Sequence, residues 1–119
     1  MNHDMTPPDV ELARRLLASV PYAHRLPAGR LRPPVGIIPG DLRSLEEVYH
    51  HLAPDDRSLP GVNLTALSEW IDRAVGDSEL AEAIRTVTGE GVSYVEGCLK
   101  VYELVGIRLA QARTVHDIG

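Results

Sequence analysis

PYAHRLPAGRLRPPVGIIPG, running from Pro21 to Gly40, is the stretch whose reading decides the fold class. It holds Pro21, Pro27, Pro33, Pro34 and Pro39, with Gly29, Gly36 and Gly40 among them. Proline lacks a backbone donor and fixes φ, and glycine resists ordering, so no helix is expected here. Val35-Gly36-Ile37-Ile38 could make a short extended piece, but proline on both sides argues against a central strand. The expectation is an extended loop over residues 21–40. A connection of that length in a compact domain tends to be functional or disordered. Leu31, Val35, Ile37 and Ile38 would need apolar contacts, either on the body of the protein or on a partner. Arg25, Arg30 and Arg32, with His24 and Arg43 close by, give the same loop a basic character. Such a stretch suits a phosphate, an acidic partner or RNA, or else ordinary solvation and ion pairs with acidic helices.

The segments on either side read as helices. Thr6, Pro7 and Asp9 form a start signal, and Leu12, Ala13, Leu16, Leu17 and Val20 recur at helical spacing up to Pro21. Ser44 with Glu47 opens a second helix, carrying Leu45, Val48, Tyr49 and Leu52 on one face and closed by Ala53-Pro54. Asn63 is a good cap for a third, lined by Leu64, Leu67, Ile71, Ala74 and Val75 beside Trp70. Gly76 fits the left-handed position that ends many helices, and Asp77 or Ser78 can cap a fourth, with Leu80, Ala83, Ile84 and Val87. Gly89-Glu90-Gly91 ends it. Ser93 and Glu96 start the longest helix, to about Arg113. There Val95, Cys98, Tyr102, Val105, Leu109 and Ala112 repeat every seven residues. Tyr94, Gly97, Val101 and Leu104 lie off that stripe, so the apolar arc is wider than one core face needs. Val101 and Leu104 should therefore meet either the first helix or another chain. Gly97 and Gly106 each weaken an isolated helix by about 1 kcal/mol relative to Ala, and both admit a close neighbour.

Leu67-Ser68-Glu69-Trp70-Ile71-Asp72-Arg73-Ala74-Val75-Gly76-Asp77-Ser78-Glu79-Leu80-Ala81-Glu82-Ala83-Ile84 resembles a motif of small uncharacterised prokaryotic proteins. In that family a Trp-Ile helix is followed by a Gly-Asp turn and a Leu-Ala helix. Gly40-Asp41-Leu42-Arg43-Ser44-Leu45-Glu46-Glu47 is similar to the short helix that precedes it, so the resemblance spans about residues 40–87. The chain has Thr65-Ala66 where the family often has Asn-Asp, and Leu67 where it tends to have Phe. The resemblance implies a helical corner and no particular chemistry.

The whole chain of 119 residues fits one domain, which can bury roughly two-thirds of its unfolded surface. Residues 1–5 are expected to be a flexible N-terminus and 114–119 a frayed tail. Phe is absent and Trp70 is the one tryptophan, so Leu, Val, Ile and Ala must build the core. Net charge is −5, which argues against a nucleic-acid binder holding many phosphates. Eleven arginines against one lysine, Lys100, suggest a GC-rich and so bacterial coding sequence. With Cys98 as the sole cysteine, neither an intrachain disulfide nor a thiolate zinc site is expected. The start lacks a signal-peptide pattern and the apolar runs are too short to span a bilayer, so the expectation is a cytoplasmic protein outside the membrane.

Chemistry is sparse. His50, His51, Asp55 and Asp56 are the densest set of possible metal ligands, but adjacent helical histidines diverge by about 100° and Pro54 interrupts the spacing. A free amine at Met1-Asn2-His3 could chelate Cu(II) or Ni(II) in a square plane. Cys98 sits on an apolar stripe and reads as a small hydrophobe. The fourth helix begins with acidic Glu79, which argues against a DNA-reading helix. No cofactor motif or catalytic arrangement stands out, so no enzyme is expected. The expected fold is all-α: about five helices in an irregular or orthogonal bundle, with a long loop after the first. The expected function is a protein-interaction or assembly module, an accessory subunit that contacts a protein partner or a second copy. Its interaction residues would be Val101 and Leu104 on the last helix and Arg25, Arg30, Arg32, Ile37 and Ile38 in the loop. The alternative is a small-molecule or metal-responsive domain, with a pocket around Trp70, Tyr49 and Tyr102.

Overall fold

The computed structural model describes residues 5–118. Its architecture is mixed α/β, which corrects the all-α expectation of a helical bundle. The elements run α1 (Val10–Leu17), a 3-10 turn (Tyr22–His24), β1 (Leu26–Arg32), β2 (Gly36–Leu42), α2 (Leu45–Leu52), β3 (Leu59–Gly61), α3 (Leu64–Trp70), a π turn (Ile71–Val75), α4 (Ser78–Val87) and α5 (Tyr94–Ile118).

Residues 21–40, expected to be a loop, instead form most of an antiparallel hairpin. β1 and β2 pair along seven positions, from Leu26↔Leu42 to Arg32↔Gly36, and β3 adds to the other side of β1. The prolines are tolerated because each stands where a missing donor costs little. Pro33 and Pro34 are in the turn, and Gly36 after it takes φ +102, which suits glycine. Pro39 and Pro60 lie on the two edge strands. Pro27 is on the central strand but faces only β2, because β3 reaches no further than Gly29. One sheet face carries Leu26, Ala28 and Leu42, which are buried against the helices.

The helix ends follow local chemistry. Ser44, Asn63, Asp77 and Ser93 each accept a bond from the backbone N–H three residues on, at 3.0–3.2 Å. Gly76 ends the π turn at φ +87, and its N–H donates to the Ile71 carbonyl. α1 departs from expectation at both ends. Asp9, not Thr6, caps it, accepting from the Leu12 N–H at 2.7 Å. Beyond Leu17 the chain turns extended at Ala18, so that Ser19 bridges Ser44 and the Val20 N–H donates to the Arg43 carbonyl. α5 runs on to Ile118, so residues 114–118 are helix rather than a frayed tail. Met5, expected to be flexible, is buried.

α5 is the central element, packed against α1, α2 and α4. Its buried face is Gly97, Cys98, Val101, Leu104, Val105, Arg108, Leu109 and Ala112, which merges the expected stripe with the set beside it. Val101 and Leu104 therefore belong to the chain's own core, with Leu16, Leu45, Val48, Leu80 and Ile84. Gly106 lets α2 approach: a Cβ there would sit 2.8 Å from Tyr49 Cε1. Tyr49 stacks on Tyr102 with ring centroids 4.5 Å apart.

Two buried side chains among the described residues are charged, and they pair with each other. Arg108 Nε donates to Asp77 Oδ2 at 2.7 Å and its Nη2 to Oδ1 at 3.2 Å. Its Nη1 donates to the Thr6 carbonyl and to Gln111 Oε1, and Gln111 donates to the Met5 carbonyl. The N-terminal segment is thus strapped across the junction of α4 and α5. A buried ion pair repays desolvation only when its remaining donors are satisfied, and here all three guanidinium nitrogens are used.

Candidate interaction face

The second face of the sheet is turned to solvent. Strand pairing places Ile37 beside Leu31 and Leu31 beside Leu59, so the three form one row across β2, β1 and β3. They are 77%, 40% and 44% exposed, and Val35 in the adjoining turn is 72% exposed. Alternation along the strands forces this: burying Ala28 and Leu26 inward sends Leu31 outward. Isolated exposed apolar residues are ordinary, whereas a contiguous set marks a contact surface. The strip continues past Leu59. A largely apolar recess of about 170 Å³ lies between β3 and α5, with Leu52, Leu59, Pro60, Tyr94, Cys98 and Leu99 in its wall. Val95 and Leu99 stand half-exposed on its rim. The Tyr94 hydroxyl takes the Val62 N–H and donates to the Pro60 carbonyl, which fastens β3 to α5.

The arginines of the same segment do not act together. Arg30 lies on the inward side of the sheet, where it donates to Ser58 Oγ at 2.7 Å and to the His51 carbonyl. Arg25 sits 4.0 Å over the Tyr22 ring and 3.5 Å from Asp41. Arg43 donates to the Val20 carbonyl. Arg32, at the end of β1, is exposed. Ile38 pairs with Arg30 on the inward side and is 41% exposed. Of the expected interaction residues, Ile37 joins the outward row, Val101 and Leu104 are internal, and the arginines are dispersed. Leu31, Val35 and Leu59 complete the row. Leu31 and Val35 were legible as apolar residues seeking cover, but Leu59 carried no signal until β3 was seen to pair with β1.

The candidate metal ligands also separate. His50 is exposed, 3.6 Å from Glu46. His51 tucks its ring under the hairpin, where Nε2 is buried without a partner. Burial, then the Arg30 charge, lowers its pKa, with the Gly29 carbonyl opposing. Asp55 accepts from the Arg57 N–H and Ser58 Oγ, which lowers its pKa. Among the described residues no three His, Cys, Asp or Glu side chains gather as a metal site. Met1-Asn2-His3 lies outside the described residues. An open depression of about 450 Å³ beside His50 mixes Arg30 and Arg57 with Asp55 and Asp56, so it favours neither sign of charge. Burial raises the Cys98 pKa, which keeps it a thiol rather than a nucleophilic thiolate. The aromatic rings expected around a pocket are spent internally: Tyr49 on Tyr102, and Trp70 Nε1 in a 2.7 Å bond to the His24 carbonyl.

Comparison with protein-family models, curated proteins and solved structures found no match to this chain. No described helix is long and apolar enough to cross a membrane.

Proposed function

We propose that the protein is a non-enzymatic interaction module that docks onto another protein surface through the outward face of its sheet. The observation that carries this reading is the Ile37–Leu31–Leu59 row with Val35 beside it, exposed on a face that the chain's own helices do not cover. Fully burying one such side chain is worth about 1.5–3 kcal/mol, so the row holds a substantial driving force for association. Cys98 is held as a thiol, and Asp55 and Arg30 are bonded within the hairpin base. An accessory role in a larger assembly fits this arrangement, and a buried single thiol suits a reducing cytoplasm.

Co-purification from native cells tests the reading, comparing the wild-type chain with Ile37→Asp and Leu31→Asp. Loss of the associated protein or of self-association, with an unchanged melting temperature, is the expected result. A wild-type chain that stays monomeric when concentrated and carries no stoichiometric companion overturns it. The recess beside Cys98 favours a second reading, a small apolar ligand. A thermal-shift screen with small hydrophobic compounds checks it, and a flat response sinks it.

A further inference from the structure

The outward face carries not only a ridge but also its complement. Two residues along each strand from Ile37, Leu31 and Leu59 stand Pro39, Gly29 and Gly61, which pair with one another in the same way. Two of those three have no side chain, so across β1 and β3 this row is a trough parallel to the ridge, about 7 Å from it at the usual rise per residue, with the Pro39 ring at its end and Ile37 Cγ2 3.6 Å from where a Gly29 Cβ would sit. We infer that the surface docked here is a second copy of the chain, packed sheet to sheet about a two-fold axis that runs between the ridge and the trough. This inference rests on the docking role of the sheet face proposed above.

A two-fold axis in the plane of contact, parallel to the rows, reverses the strand direction and exchanges the rows. Ile37 of each copy then faces Pro39 of the other, Leu31 faces Gly29, and Leu59 faces Gly61. The contact is isologous: one patch meets itself, and every apolar contact occurs twice. Face-to-face packing of two sheets at about 10 Å leaves room for a single interdigitated layer of side chains, which a ridge set into a trough supplies. Charge permits it. The net charge of −5 would oppose self-association if acidic groups lay in the contact. The ridge and trough contain none, Asp41 at the edge is paired with Arg25, and Arg30 points to the other side of the sheet. The exposed fractions of Ile37, Leu31 and Leu59 together exceed one and a half whole apolar side chains per copy, doubled by the symmetry. A partner of different sequence would have to supply its own matching ridge and trough, whereas a second copy already has both.

Two measurements test this. Sedimentation of the wild-type chain over a wide concentration range should show a monomer–dimer equilibrium, weakened about 100-fold by Ile37→Asp, with far-UV circular dichroism unchanged and the melting temperature unchanged at concentrations where both chains are monomeric. In a mixture of Ile37→Cys and Pro39→Cys chains, the mixed disulfide should form faster than either homodimeric one. A dimer that survives Ile37→Asp, or crosslinks without preference for the mixed pair, overturns the inference. So does a chain that remains monomeric at all concentrations. In that last case, a different protein lost on Ile37→Asp would leave the docking reading standing, and no partner at all would remove both.

Discussion

The Arg108–Asp77 junction and the outer face of the sheet depart from the usual partition of residues in opposite directions. Arg108 and Asp77 are each 1% exposed, whereas Ile37 is 77% exposed. At the junction, charge is withdrawn from water and all five donors of the guanidinium are answered inside the chain, the fifth by Glu79 Oε1. On the sheet, apolar surface is left in water, uncovered by the other described residues. The difference separates residues that specify this fold from residues available to something else. The junction ties α4, α5 and the N-terminal segment together. The sheet face adds little to the stability of the single chain, and so can be changed without unfolding it.

The largest effect is expected at the junction. Asp77→Ala removes both the cap of α4 and the buried counter-charge of Arg108, leaving it only the half-exposed Glu79 carboxylate at 3.4 Å, and should cost about 3–5 kcal/mol in urea unfolding. Pairing Arg108→Met with Asp77→Asn should recover much of that loss, because no charge is left buried alone and Asn still caps. If the double variant is no better than Asp77→Ala, the pair is not the unit of stability described here. A smaller effect is expected where α2 meets α5. Gly106→Ala should destabilise by about 1–3 kcal/mol, since the new Cβ would meet Tyr49, even though Ala is the better helix former. Stabilisation would mean that Tyr49 swings aside. The smallest effect on folding is expected on the sheet. Ile37→Asp should move the stability of the single chain by no more than about 0.5 kcal/mol while weakening association about 100-fold. A large destabilisation there would erase the contrast between the two regions.

The hairpin base adds a pH test. The His51 pKa is lowered from its ordinary 6.5 in the folded chain by burial and by Arg30. As pH falls below 6.5, the unfolded chain takes up this proton before the folded one does. His51 therefore contributes a loss of stability that grows from that point until the lowered folded pKa is reached. Subtracting the stability–pH profile of His51→Gln from that of the wild type between pH 7.5 and 5 should reveal this slope. Equal profiles would show that the His51 ring is not held beside Arg30.

The helices were legible because their signals are local. Ser44, Asn63, Asp77, Ser93 and Gly76 act on backbone groups within a few residues, so each could be read from the order of the chain. Thr6 misled, because its segment is held by Arg108 and Glu79, which lie far away in sequence. The same holds for the Arg108–Asp77 pair itself: Asp77 was readable as a cap, and its second role was not.

The hairpin shows where such reading stops. Five prolines between residues 21 and 40 argue against a strand when each is counted alone. Their effect depends on where the neighbouring strands lie, and Pro39 on an edge or Pro27 beyond the reach of β3 loses almost nothing. The sequence by itself determined the five helices, the caps of α2 to α5 and the apolar character of Leu31, Val35, Ile37 and Ile38. Only the tertiary structure decided that Val101 and Leu104 are core, and that Ile37, Leu31 and Leu59 share one outward row. The physical reason is that capping is an interaction between near neighbours. Burial and strand register are set by which distant segments meet.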